Sequence, residues 1–554
     1  MNTSVPESPM NPLSQLSDKK RAFLTGTLLL TGTGFACRVL GFFYRIFLSR
    51  TIGAEGLGLY NMIHPVFGIC FALCASSIQT ALSQYIASHM EKGRAVFRTG
   101  LGISLSLSFA LAFLICRHAE FLAAQVLMEP RCASYLPIMG ISVPFAALHA
   151  CINGYYYGVQ KAKVPAFSQV AEQVVRMSLV FLIASLWLSR GGVITVHLAV
   201  IGHLIGEMAS AAFTLLCLWI CPPQRYREPG LQIDGGLKIA GHTLSSGHPA
   251  ASARTLPSGH PAASTAGPLM ALALPLMGNR LVLNLLASAE AIWIPSRLQL
   301  SGLSGSDAFA IYGVLTGMAL PFILFPSAIT NSMAVLLLPS VAQAQAEGHK
   351  RRITASISMS LRYSLYMGIL CVGIFTLFGS SLGTSVFHDS DAGHFIRILA
   401  WLCPFLYLAT TMGSILNGLG RTRTTFLQNT TALLLRILFV LIGIPRFGIM
   451  AYLWGMLTSE LLLALMHLWS LKKLVPFTWN AWEMIVKPAG ILLISIGIFH
   501  FTGGVLPKIL PLPLSAALPL PEHLPLFLTT TAQILLLSCC YGGLLLVFHF
   551  GRRR

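Results

Sequence analysis

Charge is scarce in this sequence. Charged side chains make up 10% of 554 residues, and only 18 residues are Asp or Glu. A soluble chain of that length covers itself with charge, so a soluble fold is excluded. Carboxylate pairs for general acid and base chemistry are correspondingly few. Asp389 and Asp391 in "HDSDAGH" are the only candidates, and a solvated loop accounts for them. No Gly-x-x-x-x-Gly-Lys-Ser/Thr phosphate loop and no Gly-x-Ser-x-Gly elbow occurs, which argues against ATP-driven transport by this chain alone and against hydrolase chemistry. The twelve cysteines show no Cys-x-x-Cys spacing, and the sixteen histidines form no His-Glu-x-x-His pair. Neither a metal nor any other cofactor is expected, and most cysteines read as small buried hydrophobes.

What is present is apolar. Hydrophobic residues make up 55% of the chain, and the mean hydropathy is +0.72. Windows of about 20 mostly apolar residues, each the length of a membrane crossing, recur from end to end. The alternation of a membrane β-barrel is missing. Counting windows between charged or Pro/Gly-rich breaks predicts an all-α polytopic membrane protein with fourteen spans, the first near 22–48 and the last near 525–549. The long second and eighth windows, 57–86 and 308–338, leave room for kinks at Pro65 and at Pro321 and Pro326.

Most of the 37 basic residues fall on one side of this topology, for example Lys19, Lys20 and Arg21, Lys161 and Lys163, Lys350 to Arg352, Arg421 and Arg423, and Arg552 to Arg554. Cytoplasmic loops carry such an excess, so both termini are expected in the cytoplasm. The same distribution accounts for the net charge of +19. Basic residues scattered over short loops suit topology and anionic lipid; a nucleic-acid site would need a clustered basic face with stacking aromatics, and none is expected. The first apolar run is too long and too interrupted by arginine for a cleaved signal peptide.

The chain repeats itself. "PFAALHACINGYYYGVQKAKVPAFSQVAEQVVR" from 144 parallels "PFLYLATTMGSILNGLGRTRTTFLQNTTALLLR" from 404, which sets Arg176 against Arg436. "GHLIGE" ending at Glu207 parallels "GMLTSE" ending at Glu460, and "GLGLYNMIHP" echoes "AFAIYGVLTG". The repeat divides the chain into a tail (1–21), a first six-helix lobe (22–221), a linker (222–266), a second lobe (267–470), two further spans (471–549) and a basic tail (550–554). Two parallel lobes facing a cavity are a transporter architecture. The linker contains "SGHPAASARTLP" followed by "SGHPAASTAGPL", a duplication whose composition is that of a flexible tether.

Ionisable residues within spans mark pathways. Arg38 and Arg45, seven residues apart, share one face of the first span, about 10 Å apart in height. Arg176 has Glu172 one turn before it, whereas Arg436 has Ala432 at the matching place and so lacks that partner. Arg280 lies in the seventh span ahead of Asn284 and Glu290. Arginines outnumber obvious acidic partners, which predicts an anionic substrate, since a guanidinium fork grips phosphate oxygens. Snorkelling to an interface is the competing account for Arg45, Arg362 and Arg397 near span ends. Glu207, Glu460, Asn284 and Asn429 are candidate H+ or Na+ sites, with helix–helix hydrogen bonding as the ordinary alternative.

"RVLGFFYRIFLSRTIGAEGLGLY" after "FLTGTLLLTGTGF", with "SAITNSMAVLLLPSVAQAQAEG" and "SILNGLGRTRTTF" downstream, resembles the stage V sporulation protein B-like polysaccharide exporters of the multidrug/oligosaccharidyl-lipid/polysaccharide flippase superfamily. The resemblance covers essentially the whole chain. It implies a MATE-like fold, a bacterial inner-membrane location and a flippase for an undecaprenyl-diphosphate-linked saccharide, with lipid II as the expected cargo and wall-synthesis enzymes as conceivable partners. Related lipid II flippases open with Arg-Val-Leu-Gly-Phe-x-Arg. Arg38 matches the first arginine, while Tyr44 stands at the second and Arg45 is displaced by one position. An arginine that follows an aromatic early in their eighth span is absent here, where Gly313 follows Tyr312, and Arg280 is the candidate replacement. A cation-coupled drug exporter, a non-transporting scaffold for wall-synthesis enzymes and a membrane glycosyltransferase are the alternatives.

Overall fold

The computed structural model describes residues 12–220, 266–503 and 523–550. The linker duplication, except for its last residues, and residues 551–554 of the basic tail lie outside them. Every regular element among the described residues is helical. Numbered along the chain, the long ones are α1 (12–52), α2 (54–88), α3 (Gly93–Arg117), α4 (Leu136–Gly158), α5 (Lys163–Ser189), α6 (Val196–Ile220), α7 (Ala266–Leu300), α8 (305–346), α9 (Lys350–Phe387), α10 (Ser390–Gly418), α11 (Thr422–Phe447), α12 (Ile449–Leu474), α13 (Trp482–Phe501) and α14 (Leu526–Phe548).

Fourteen helices are long and apolar enough to cross a membrane, as the sequence predicts, but the partition differs in two places. The stretch Leu29–Ser88 runs as 60 helical residues, about 90 Å if straight and so too long for one crossing. Gly53 divides it, with φ 70° and ψ −177°, a conformation that a side chain would strain. Conversely, the expected eighth span consists of two helices, Gly305–Leu324 and Ser327–Ala346, joined by a bend at Phe325–Pro326. Proline supplies no N–H to continue the ladder there. Pro65, by contrast, sits in unbroken helix, and α2 loosens later, in a π-turn at Ala72–Ser76. The register that aligns Tyr60 with Tyr312 also aligns this π-turn with the α8 bend.

Both halves use the same neighbour pairs. α2 and α3 pack on α4, α4 on α6, and α5 on α6; α8 and α9 pack on α10, α10 on α12, and α11 on α12. α13 and α14 pack on each other and on α9. α7 belongs to the second repeat by sequence, yet its first half lies against α2 and α3, where Arg280 donates to Thr80 and Leu269 approaches Gly100. Its second half reaches α11 through Glu290 and Arg436. α1 crosses to the other lobe, where Phe42 meets Phe322 edge-on at 4.8 Å and Phe325 at 5.4 Å. The interior between the lobes is therefore bounded by α1, α2, α7 and α8.

Candidate substrate cavity

Arg38 and Arg45 line a compartment of about 450 Å³ between α1 and α8, opposite Thr316, Pro321, Ser327 and Asn331. A 130 Å³ extension, sharing Arg38 and Asn331, continues toward Leu30 and Val335. Arg45 is anchored at one edge, where its Nη1 donates to the Thr316 carbonyl at 3.1 Å. That carbonyl lies in the π-turn Val314–Ala319 of α8, and such turns release carbonyls from the helix ladder. Asn61 of α2 donates to the Thr316 hydroxyl at 2.9 Å, so three helices meet at one threonine.

Two side compartments adjoin this groove and repeat each other's parts. The first-lobe one, 170 Å³, is lined by Tyr44, Arg45, Tyr60, Asn61, His64 and Arg176. The second-lobe one, 300 Å³, is lined by Glu290, Tyr312, Thr316, Arg436, Tyr452 and Glu460, with leucines between them. Tyr60 and Tyr312 are thus repeat counterparts that sequence reasoning aligned without assigning a role, and each stands beside its lobe's arginine.

The two wall arginines are neutralised from within. Arg176 forms the expected ion pair with Glu172 one turn before it. Arg436, expected to lack a partner, has two: its Nε lies 2.6 Å from Glu290 Oε1 on α7, and its Nη1 lies 3.7 Å from Glu460 Oε1 on α12. The i,i+4 rule looks along one helix only, and these carboxylates arrive from neighbouring helices. Tyr452 also donates to Glu290 Oε1 at 2.6 Å. The expected surplus of unpaired arginine is therefore smaller than the sequence implied. Among the described residues no ion pair includes Arg38 or Arg45.

The remaining candidates are distributed around the cavity. Glu207 is buried behind Arg176 and meets His149 Nε2 at 2.8 Å. Arg280 is half-buried on α7 and hydrogen-bonded to Thr80 at 2.9 Å, and Asn284 donates back to the Arg280 carbonyl at 2.8 Å. Asn429 donates to the Thr425 carbonyl at 2.7 Å, within its own helix. His149 and His203 were not singled out from the sequence. His149 lies in the repeated stretch, four residues before Asn153, but nothing local links it to Glu207 on another helix.

One end of the interlobe space is sealed. Arg50, at the end of α1, donates from Nε to the Val386 carbonyl at 2.9 Å and from Nη2 to those of Ser385 and Val386. Arg131 binds Glu55 at 2.5 Å and Glu129 at 2.7 Å, and its guanidinium lies 5.5 Å from the Phe309 ring centre. The Glu129 and Glu55 hydrogen bonds hold the Arg131 pKa above its usual value, against partial burial. Below this layer α2 and α8 touch backbone to backbone: a Cβ on Gly313 would stand 1.8 Å from the Ala54 carbonyl oxygen, and one on Gly58 2.2 Å from that of Phe309. The cavity therefore extends away from this end. A larger cavity, about 770 Å³, lies elsewhere, among leucines and the exposed Trp401 and Trp454 of α10 and α12, with His394 and Arg397 at its wall. It has the apolar character of a surface facing acyl chains.

Residues 23–247 match the polysaccharide biosynthesis protein family, and residues 294–442 match the MatE family. The chain is 28% identical to stage V sporulation protein B of Bacillus subtilis over 86% of this chain and 88% of that one. It is 23% identical to the lipid II flippase MurJ of the same organism over 72% and 73%. Among solved structures, the fold is similar to a lipid II flippase MurJ in an inward closed conformation, with a TM-score of 0.65 and 14% identity over 95% of this chain and all of that one. An inward-facing MATE family multidrug transporter gives 0.57, with 14% identity over 82% and 97%. In its fourteen-helix fold of two repeated lobes around a cavity, and in its sequence along most of its length, the chain is similar to flippases and exporters of the multidrug/oligosaccharidyl-lipid/polysaccharide superfamily.

Proposed function

We propose that this protein moves a polyprenyl-diphosphate-linked saccharide across the membrane, with the peptidoglycan precursor lipid II as its cargo, by alternating access through the α1/α8 groove. The observation that carries this reading is the contrast between its arginines. Arg176 and Arg436 are held by carboxylates, whereas Arg38 and Arg45 line the groove with no ion pair among the described residues. Two guanidiniums about 10 Å apart in height can bracket a diphosphate, each donating a pair of hydrogen bonds. Beside Thr316, Ser327 and Asn331 the facing wall carries an apolar strip of Leu320, Pro321, Leu324 and Phe325, which suits the isoprenoid end of the same molecule.

The excess of basic residues in one set of loops supports a topology with both termini in the cytoplasm, the extended end of the cavity on the cytoplasmic side and the Arg50 seal on the outer side. Cargo then enters from the inner leaflet. Movement requires the seal of Arg50, Gly58 and Gly313 to part while the groove closes. The test is flipping of fluorescent lipid II by the purified protein in liposomes, with Arg38→Ala and Arg45→Ala beside the wild type. Flipping slowed by about ten-fold or more in both folded variants is expected. Equal flipping in all three would overturn the diphosphate site, and a folded wild type that moves no lipid II would overturn the cargo.

A further inference from the structure

Behind Arg176, imidazoles converge on one buried carboxylate. Glu207 of α6 is 6% exposed, and its Oε2 lies 2.8 Å from His149 Nε2 of α4. His203, one turn before Glu207, holds its Nε2 3.9 Å from Glu207 Oε1, and its ring centre stands 5.7 Å from that of His64 on α2. His64 lines the 170 Å³ compartment. The series therefore runs from the cavity inward.

The positions of the hydrogens follow from the partners. His64 Nδ1 lies 2.9 Å from the Tyr60 carbonyl, which can only accept, so Nδ1 carries the hydrogen and Nε2 is left as a base. By the same rule His149 Nε2 donates to the Glu207 carboxylate. The other nitrogen of His149, Nδ1, is buried without a hydrogen-bond partner among the described residues, and so is Nε2 of His203. Buried polar atoms of this kind are rare enough to require a reason.

Charge supplies the reason. Glu172 and Glu207 face a single guanidinium, that of Arg176, which lies across Gly206 beside Glu207. The other elements packed here bring the neutral Cys37 and Tyr44 from α1, Tyr60 from α2 and Gln173 from α5, and one further charge, Arg45 of α1, which lines the compartment near Tyr60 and His64 with its Nη1 on the Thr316 carbonyl. With neutral imidazoles, Arg176 and its two carboxylates by themselves carry one negative charge in excess, and one proton beside Glu207 balances it. The second lobe repeats the ratio, with Glu290 and Glu460 to Arg436, but there the hydroxyl of Tyr452 meets the carboxylate in place of an imidazole.

We propose that His149, Glu207 and His203 form a proton-binding site, loaded from the cavity through His64, which sets the charge that Arg176 presents to the cargo. A proton from cavity water binds His64 Nε2, passes to His203, whose ring centre stands 5.7 Å away, and is released from His203 Nε2 to Glu207 Oε1, so that Glu207 becomes the neutral acid while His149 Nε2 still donates to its Oε2. Arg176 is then held by Glu172 alone and is free to share its charge with an anion in the groove. Without the proton, both carboxylates hold it. The coupling to cargo rests on the flippase reading above, whereas the proton site does not.

Two measurements separate these parts. Infrared difference spectra of the full-length protein in liposomes without cargo, taken between about pH 5 and 8, where imidazoles change charge, should show an imidazole and a carboxylate band. Both should vanish in Glu207→Gln and in His149→Gln and persist in Glu460→Gln. Bands unchanged in His149→Gln and His203→Gln, or no band in the wild type, would overturn the site. The second measurement is flipping under an imposed pH gradient. The wild type should accelerate several-fold over its own gradient-free rate, and His149→Gln should show no acceleration over its own. Equal acceleration of both would overturn the coupling. If the wild type flips nothing, the flippase reading fails, while the infrared result still decides the proton site.

Discussion

Glu290 shows what a buried charge does when its partner comes from another helix. It is 5% exposed and holds both Arg436 and the Tyr452 hydroxyl at 2.6 Å. Removing one member of a buried pair leaves the other uncompensated, which costs about 3–5 kcal/mol. Glu290→Ala should therefore lower the thermal stability of the purified protein strongly, and Glu290→Met combined with Arg436→Met should be milder than either single change. At Arg45 the expectation concerns function. Its guanidinium spans the Thr316 carbonyl and the open groove. Loss of a charge-assisted hydrogen bond, at about 1.5–3 kcal/mol, predicts about 10- to 100-fold slower flipping for Arg45→Ala. Arg45→Lys, which keeps the charge and loses the fork, should fall between the two.

Among the elements, α2 and α8 form the closest interlobe crossing. Gly313 and Gly58 have no room for a side chain because the atoms facing them are backbone oxygens, which cannot rotate away. Gly313→Ala must separate the helices, and Arg50→Ala removes the three contacts that tie α1 to the end of α9. Both changes should weaken the sealed end. Distances between spin labels placed in that region on α2 and α8 should lengthen in each variant, and unchanged distributions would mean that other contacts keep the seal. This crossing was only partly legible in the sequence. The echo of "GLGLYNMIHP" in "AFAIYGVLTG" aligned the two helices, but alignment of repeats does not show that the repeats touch. The split of α1 from α2 was legible as two apolar windows, and the device that splits them, a positive φ at Gly53, is visible only in the backbone.

For the whole molecule, the unequal sharing of basic residues between loops makes a definite topological prediction. A fluorescent protein fused after Arg554 should fluoresce and an alkaline phosphatase at the same place should be inactive; the reverse would invert the assignment of the sealed end. The scale of two lobes also explains why some candidates separate. Arg176 and Arg436 occupy equivalent walls, Arg38 and Arg45 lie on the helix that crosses between lobes, and Arg280 lies where α7 leans on α2. Among these candidates, the arginines without an ion pair among the described residues are thus Arg38 and Arg45 on α1 and Arg280 on α7.

The sequence by itself determined the membrane, the fourteen apolar stretches, the repeat and the pairing of Arg176 with Glu172. Hydropathy, the 3.6-residue helix period and the spacing of like segments are properties of the chain read along its length. Only the tertiary structure decided that Glu290 and Glu460 reach Arg436, that His149 meets Glu207, and that α7 leans on the opposite lobe. Each of these joins residues on different helices, and helix packing sets such distances through side-chain fit between whole elements, which no local spacing encodes.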